Sequence, residues 1–247
     1  MRHLRSLLTI SLLASISYAK PIVVAVIDTG IDSSLMQNRS LCEKGHKDFT
    51  KTGLNDTNGH GTHISGIIDQ YSKNYFFNYK ENPNNIDNIK ANYCQIIIKY
   101  YDANSKVSAD SALVEAFKWA IKQKVDIINI SGGGYGASDE ERKVILQALS
   151  LKIKIVAAAG NDSKDIDTYP FFPAMYDKRI YVVGNLVSTF DKTIASTSNY
   201  GKSVNTWEVG TRVFSRMLNK KFGYLTGTSQ ATAVKTGKII REILTNN

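Results

Sequence analysis

A doubly wound α/β domain, built on a mostly parallel sheet with helices on both faces, is what the sequence predicts. Two observations carry that expectation. Short, β-branched and nearly continuous apolar runs recur along the chain, which is the pattern of strands covered on both faces. Between them stand amphipathic stretches of helical period, so strand and helix alternate. A length of 247 residues with a 43% apolar share fits one such domain with a core of its own, and neither an internal repeat nor a second domain is visible.

The strand-like runs are Ile22 to Ile27, Gln95 to Lys99, Asp126 to Ile130, Ile153 to Ala158 and Ile180 to Val183. Ser111 to Lys124 sets Leu113, Phe117, Ala120 and Ile121 on one helical face, and Asp139 to Leu151 does the same with Val144, Ile145, Ala148 and Leu149. The stretch from Gln70 to Asn92 is rich in Asn, Tyr and Lys without a clear period, and is expected to be a surface excursion leading into the next strand.

Residues 1–19 have the form of an export signal. Arg2 and Arg5 begin it, Leu7 to Ile16 is largely apolar, and Ser17-Tyr18-Ala19 ends in the small-x-small pattern that a signal peptidase cuts after. The run is far shorter than the roughly 20 residues a membrane anchor needs, and no other segment is apolar enough to span a bilayer. The mature domain is therefore expected to be 20–247, secreted or periplasmic. Export leaves two readings of Cys42 and Cys94, a disulfide or two buried thiols, while their spacing does not suit a metal site. Lys and Arg outnumber Asp and Glu by 31 to 22. Because the lysines are scattered, with no basic block or interleaved aromatic stripe, the charge indicates a solvated basic surface rather than a nucleic-acid partner.

In doubly wound sheets, ligands gather where strands end. At the end of the first run, V-I-D-T-G-I-D puts Asp28 before Gly30. An isolated D-T-G is ordinarily a turn or a helix cap, and an aspartic-protease pair needs a second copy that this chain lacks. N-G-H-G-T-H-I-S-G puts His60 between two glycines, with His63 three residues on. Two histidines at that spacing could ligate a metal, but the adjacent glutamate of H-E-x-x-H is missing and only His46 remains as a further mature histidine. G-T-S-Q-A-T-A places Ser229 at the mouth of the last helical stretch, where serine is commonly an N-cap but where a nucleophile would also gain from the helix field. A-A-A-G-N-D places Asn161 just past a strand end, as either a turn residue or an amide donor.

Taken together and in this order, these pieces resemble the subtilisin-like serine proteases. V-D-I-I-N-I-S-G-G-G, Y-P-F-F-P-A-M-Y and T-S-N-Y-G extend the resemblance across Val23 to Gly237. The resemblance implies a serine endopeptidase acting on a protein or peptide through an acyl-enzyme, with Ser229 as nucleophile, His60 as base and Asp28 orienting it. It further implies an oxyanion hole from the Asn161 amide and the Ser229 N–H. Ser131, Gly132 and Gly133 would form a strand edge for an extended substrate, and Ala157, Ala158 and Ala159 one wall of the main specificity pocket. The family's calcium sites do not map onto this chain residue by residue, so no metal or other cofactor is assigned. Oligomeric state is not indicated.

The departures from the family pattern are local. Gln230 and Ala233 stand where Met and Pro are usual, and V-N-T-W-E-V-G follows T-S-N-Y-G in place of an alanine- and proline-containing turn. Eighteen residues follow Ser229, which makes the domain C-terminally short and predicts a thin helical roof over part of the core. Lys20 and Pro21 alone separate the expected cleavage site from the first strand, leaving no room for a folding pro-segment. These last two features motivate the alternative of a non-catalytic subtilisin-like binding module.

Overall fold

The computed structural model describes residues 20–74 and 92–246. Among these residues seven strands form one parallel sheet: β1 (Ile22–Asp28), β2 (Lys47–Asp48), β3 (Tyr93–Lys99), β4 (Ile127–Ile130), β5 (Lys154–Ala158), β6 (Tyr181–Leu186) and β7 (Thr206–Val209). Their spatial order is β2-β3-β1-β4-β5-β6-β7. After β1 the chain moves to one side of the sheet, and after β3 it crosses back to β4 and continues outward on the other. The switch between β1 and β4 is where such sheets open a crevice at their carboxyl ends. A separate antiparallel hairpin pairs β8 (Val213–Arg216) with β9 (Phe222–Leu225).

Among the described residues four α-helices cover the sheet: α1 (His60–Ser72), α2 (Ala109–Lys122), α3 (Asp139–Ser150) and α4 (Thr228–Thr245). Strand alternation splits the core in two. Ala25, Ile27, Ile128, Ile130 and Ile155 face α2 and α3, meeting Phe117, Ala120, Val144 and Ile145. Val24, Val26, Ile97, Ile127, Val156 and Val183 face α1 and α4, meeting Ile64, Ile67, Ile68, Val234 and Ile240. All six strand residues on this second face are fully buried, so the expected thin roof is not found there.

The five strands and two helices that periodicity places (β1, β3, β4, β5, β6, α2 and α3) lie within a few residues of where it places them. α2 starts before Ser111 because the Ser108 hydroxyl accepts the Ser111 N–H at 3.2 Å and caps the helix. Ser138 caps α3 in the same way. β7 arises from V-N-T-W-E-V-G, where the ring of Trp207 packs over the bare Cα of Gly184 on β6. Of the excursion expected between Gln70 and Asn92, residues 70–72 complete α1 and 75–91 lie outside the described residues, as do residues 1–19, where an export signal is expected. No helix among the described residues is long and apolar enough to cross a membrane.

Cys42 and Cys94 form a disulfide with their Cα atoms 4.9 Å apart. It ties the segment before β2 to the start of β3, alongside the backbone bond from Cys42 N–H to Gln95 O at 3.0 Å. Closing a loop of that separation, 52 residues, restricts the unfolded chain by about 4 kcal/mol in the chain-entropy account. Next to it, His46 accepts the Ile97 N–H at Nδ1 (3.0 Å), which leaves Nε2 as the nitrogen that donates to Cys42 O (2.8 Å).

Candidate active site

Asp28 is the last residue of β1 and is buried. Its Oδ1 accepts the Thr29 N–H at 2.8 Å and lies 2.8 Å from Nδ1 of His60, the first residue of α1. Because a carboxylate oxygen only accepts, Nδ1 must carry the proton, and in the neutral ring Nε2 keeps its lone pair. The approach depends on glycine: a Cβ on Gly61 would collide with the carbonyl oxygen of Gly30, so a larger residue there would push α1 off the end of β1. The His60 side chain is 27% exposed. Burial, the largest influence, lowers its affinity for protons, but the charge and hydrogen bond of Asp28 together with the charge of Asp56 outweigh this and hold its pKa above the ordinary value.

The start of α1 is organised by Asp56. Its carboxylate accepts the N–H groups of Asn58, Gly59 and Thr62 at 2.8 to 3.0 Å, and the hydroxyls of Thr29 and Thr62 at 2.9 and 2.7 Å. Thr29 Oγ1 in turn accepts the Gly61 N–H at 2.9 Å. Since the residue preceding α1 is Gly59, with no side chain to cap the helix, Asp56 satisfies the exposed donors and places a negative charge at the positive end of the dipole. The segment carrying Asp56 is held from beneath by Lys99, fully buried, whose Nζ donates to Asn55 O at 2.8 Å and pairs with Asp102 at 2.7 Å. That bond to Lys99 holds the Asp102 carboxyl well below the usual carboxylate range.

Ser229 is the second residue of α4 rather than its N-cap, which is Gly227. Its hydroxyl donates to Ser131 O at 2.9 Å, while Ser131 Oγ donates to Ser229 O at 3.2 Å. Among the described residues no hydrogen bond joins Ser229 to His60. Asn161 follows β5, and its Oδ1 accepts both the Thr228 N–H (2.8 Å) and the Thr228 hydroxyl (3.1 Å). A backbone N–H can only donate, so the amide is oriented with oxygen toward α4, and Nδ2 is left to donate elsewhere.

The strand ends therefore bring Asp28 against His60, and Asn161 and Ser131 against the N-terminus of α4. Gly132 and Gly133 continue outward from β4, and Gly134 beyond them pairs with Phe172 through two backbone bonds of 2.8 and 2.7 Å. The alanine wall needs correction. Ala157 and Ala159 are fully buried among the residues facing α2 and α3, and Ala158 is 3% exposed, so none of the three methyls lines an open surface. Consecutive strand residues point to opposite faces, and both faces of this sheet are covered. His63, weighed as a metal ligand from its spacing, is fully buried beneath the β8–β9 hairpin with Nε2 3.4 Å from Gly223 O. Asp56, Thr29 and Lys99 were not singled out by sequence reasoning; for Asp56 the available signal was an acid four residues before a glycine-flanked histidine.

A family model described as the subtilase family, Peptidase_S8, matches residues 19–240. The chain belongs to the subtilase family. Members of this family are serine-type endopeptidases. This subtilase is 29% identical over 230 residues to the major intracellular serine protease of Bacillus subtilis (strain 168), covering 89% of this chain and 67% of that protein. To subtilisin DY of Bacillus licheniformis it is 30% identical over 212 residues, covering 85% and 72%. The minor extracellular protease Epr of Bacillus subtilis (strain 168) is 31% identical over 213 residues, 86% of this chain but 30% of that protein. The subtilase spans 52% of the length of other curated subtilisins, such as subtilisin amylosacchariticus. Among solved structures, a cold adapted subtilisin-like serine proteinase superposes with a TM-score of 0.68 at 23% identity, covering 92% of this chain and 76% of that one. The fold is thus the one the sequence predicts.

Proposed function

We propose that this subtilase is an exported serine endopeptidase in which Ser229 attacks the substrate carbonyl, His60 takes the hydroxyl proton and later delivers it to the leaving amine, and Asp28 orients the imidazole. The observation that carries this reading is the 2.8 Å contact between His60 Nδ1 and Asp28, which leaves Nε2 as the basic nitrogen. In the first step the Ser229 Oγ bonds to the carbonyl carbon as its proton passes to Nε2. The amine then leaves with that proton, and water repeats the sequence on the acyl-enzyme. Because the Ser229 hydroxyl donates to Ser131 O, the attack requires it to turn from that carbonyl toward His60; catalytic hydrogen bonds commonly tighten only in the substrate complex.

The tetrahedral oxyanion would be met by Nδ2 of Asn161 and the N–H of Ser229, in the favourable field of an 18-residue helix. Ser131, Gly132 and Gly133 supply a strand edge for an extended peptide. The chemistry needs no cofactor. Export is supported by the residues at 1–19 and by the disulfide, a bond that persists in oxidising compartments. The relatives point both ways, one named intracellular and another extracellular. Exported protein is expected to begin at Lys20, and terminal sequencing that found residues 1–19 still attached would refute processing at Ala19.

The decisive experiment is labelling with a fluorophosphonate probe. The parent protein is expected to label and turn over peptide substrates, and Ser229→Ala to lose the label and nearly all turnover. Failure of the folded parent to label would favour the non-catalytic binding module.

A further inference from the structure

We propose that Asn199 is the positioning residue of the oxyanion loop, its buried amide holding residues 159–164 so that the Asn161 side chain meets the N-terminus of α4. The inference deepens the reading given above and rests on Asn161 being an oxyanion donor.

Asn199 is fully buried, and every hydrogen-bonding position of its side chain is engaged. Nδ2 donates to Ala159 O at 2.8 Å and to the Tyr135 hydroxyl at 3.3 Å. Oδ1 accepts the N–H groups of Asp162 at 3.0 Å and Lys164 at 2.9 Å. Its backbone N–H adds a bond to Gly160 O at 2.9 Å. These contacts fall on both sides of Asn161, which is itself exposed and meets α4 through its amide oxygen alone. The same loop holds Ser163 at φ +56°, a left-handed backbone that a residue with a side chain in an unbraced segment would tend to leave, while Gly160 takes φ +99° without that cost. A Cβ on Gly160 would run into Nδ2 of Asn199, so glycine and asparagine fit there as a pair.

The side-chain chemistry is specific. Aspartate would keep the two acceptor bonds but turn a donor into an acceptor facing Ala159 O, and serine is too short to bridge both sides of the loop. Tyr135 extends the network to the segment that continues Ser131–Gly133, because its hydroxyl donates to Asp162 Oδ2 at 2.7 Å while accepting from Asn199. One buried amide thus joins the loop of the oxyanion donor to the segment on which a peptide would lie. A residue acting through Asn161 should affect the transition state, where negative charge develops, more than the bound ground state.

The test is a double-mutant cycle between positions 199 and 161, reading kcat and KM on a peptide substrate at a temperature where every variant is folded. Asn199→Ser is expected to lower kcat by about tenfold or more with KM changed by less than about twofold. In an Asn161→Leu background it should lower kcat by less than about twofold, while its effect on thermal midpoint persists. Asn199→Asp, which retains the acceptor bonds, should fall between parent and Asn199→Ser, and it decides the same cycle if Asn199→Ser does not fold. If the position 199 substitutions reduce kcat by the same factor in both backgrounds, or leave it unchanged in the folded protein, the positioning role is overturned. If Asn161→Leu alone leaves kcat undiminished, the oxyanion reading falls and takes the inference with it.

Discussion

His60 and His63 stand three residues apart on one helix and behave in opposite ways. His60 faces the end of β1, where Asp28 and Asp56 outweigh its burial and raise its pKa. His63 faces the hairpin; burial, with a smaller push from the charge of His60, drives it down to about 4 against the weaker pull of carbonyl oxygens. Its Nδ1 has no hydrogen-bond partner among the described residues. The difference teaches that the proton affinity of a buried histidine is set by the acids that face it, and that sequence spacing alone does not distinguish the two.

The most direct way to break the contrast is Asp28→Asn. An amide can donate to the imidazole and hold the wrong tautomer, and kcat is expected to fall on the order of 10⁴-fold, the size of that loss in a chymotrypsin-type triad, with the fold intact by circular dichroism. A loss below about tenfold would mean that Asp28 does not orient His60 for catalysis.

The pH dependences should run in opposite senses. His60 must be neutral to act as a base, so the acid limb of kcat/KM is expected to have its midpoint above the ordinary histidine value of about 6.5, and a limb at or below that value would contradict the Asp28 effect. As a raised pKa, it adds stability below about pH 6.5 that is lost as pH rises through the folded value. His63 has the opposite sign. Its contribution is complete above about pH 6.5 and is lost as pH falls toward its folded value of about 4, a span worth about 3 kcal/mol. His46, also lowered by burial, acts in the same direction as His63. Denaturant titrations at neutral and acid pH would measure these together with Glu141, whose carboxyl burial raises to about 7 and which therefore acts in the opposite direction to His63.

The smallest expected effect is on catalysis in His63→Leu. Because His63 makes one long contact and leaves a buried nitrogen unsatisfied, an apolar replacement should keep kcat and KM within about twofold and change neutral-pH stability by about 1 kcal/mol or less. It should also flatten the acid loss of stability. A large fall in kcat would show that the two histidines are coupled in function.

The central sheet was legible because β1, β3, β4 and β5 are buried on both faces and so appear as unbroken β-branched runs. β7 was not, since an edge strand with one neighbour can carry Thr206 and Glu208 without a visible period. Asp28, His60, Asn161 and Ser229 could be singled out as candidates because each sits in a compact local motif. Asp56 and Asn199 act through several backbone groups at once, and for Asn199 those groups lie in a distant segment that only folding brings near. The alanines that end and follow β5 misled for a simple reason: a run of small residues looks the same whether its methyls face a cleft or a core.

The disulfide carries a consequence for damage to this molecule. The covalent ring closed by Cys42 and Cys94 contains β2, Asp56, His60 and all of α1. A single peptide-bond break anywhere inside that ring leaves one covalent molecule, with His60 still attached to both the Asp28 and the Ser229 portions of the chain. Such a nicked protein would migrate as one species until its disulfide is reduced and as two pieces afterwards.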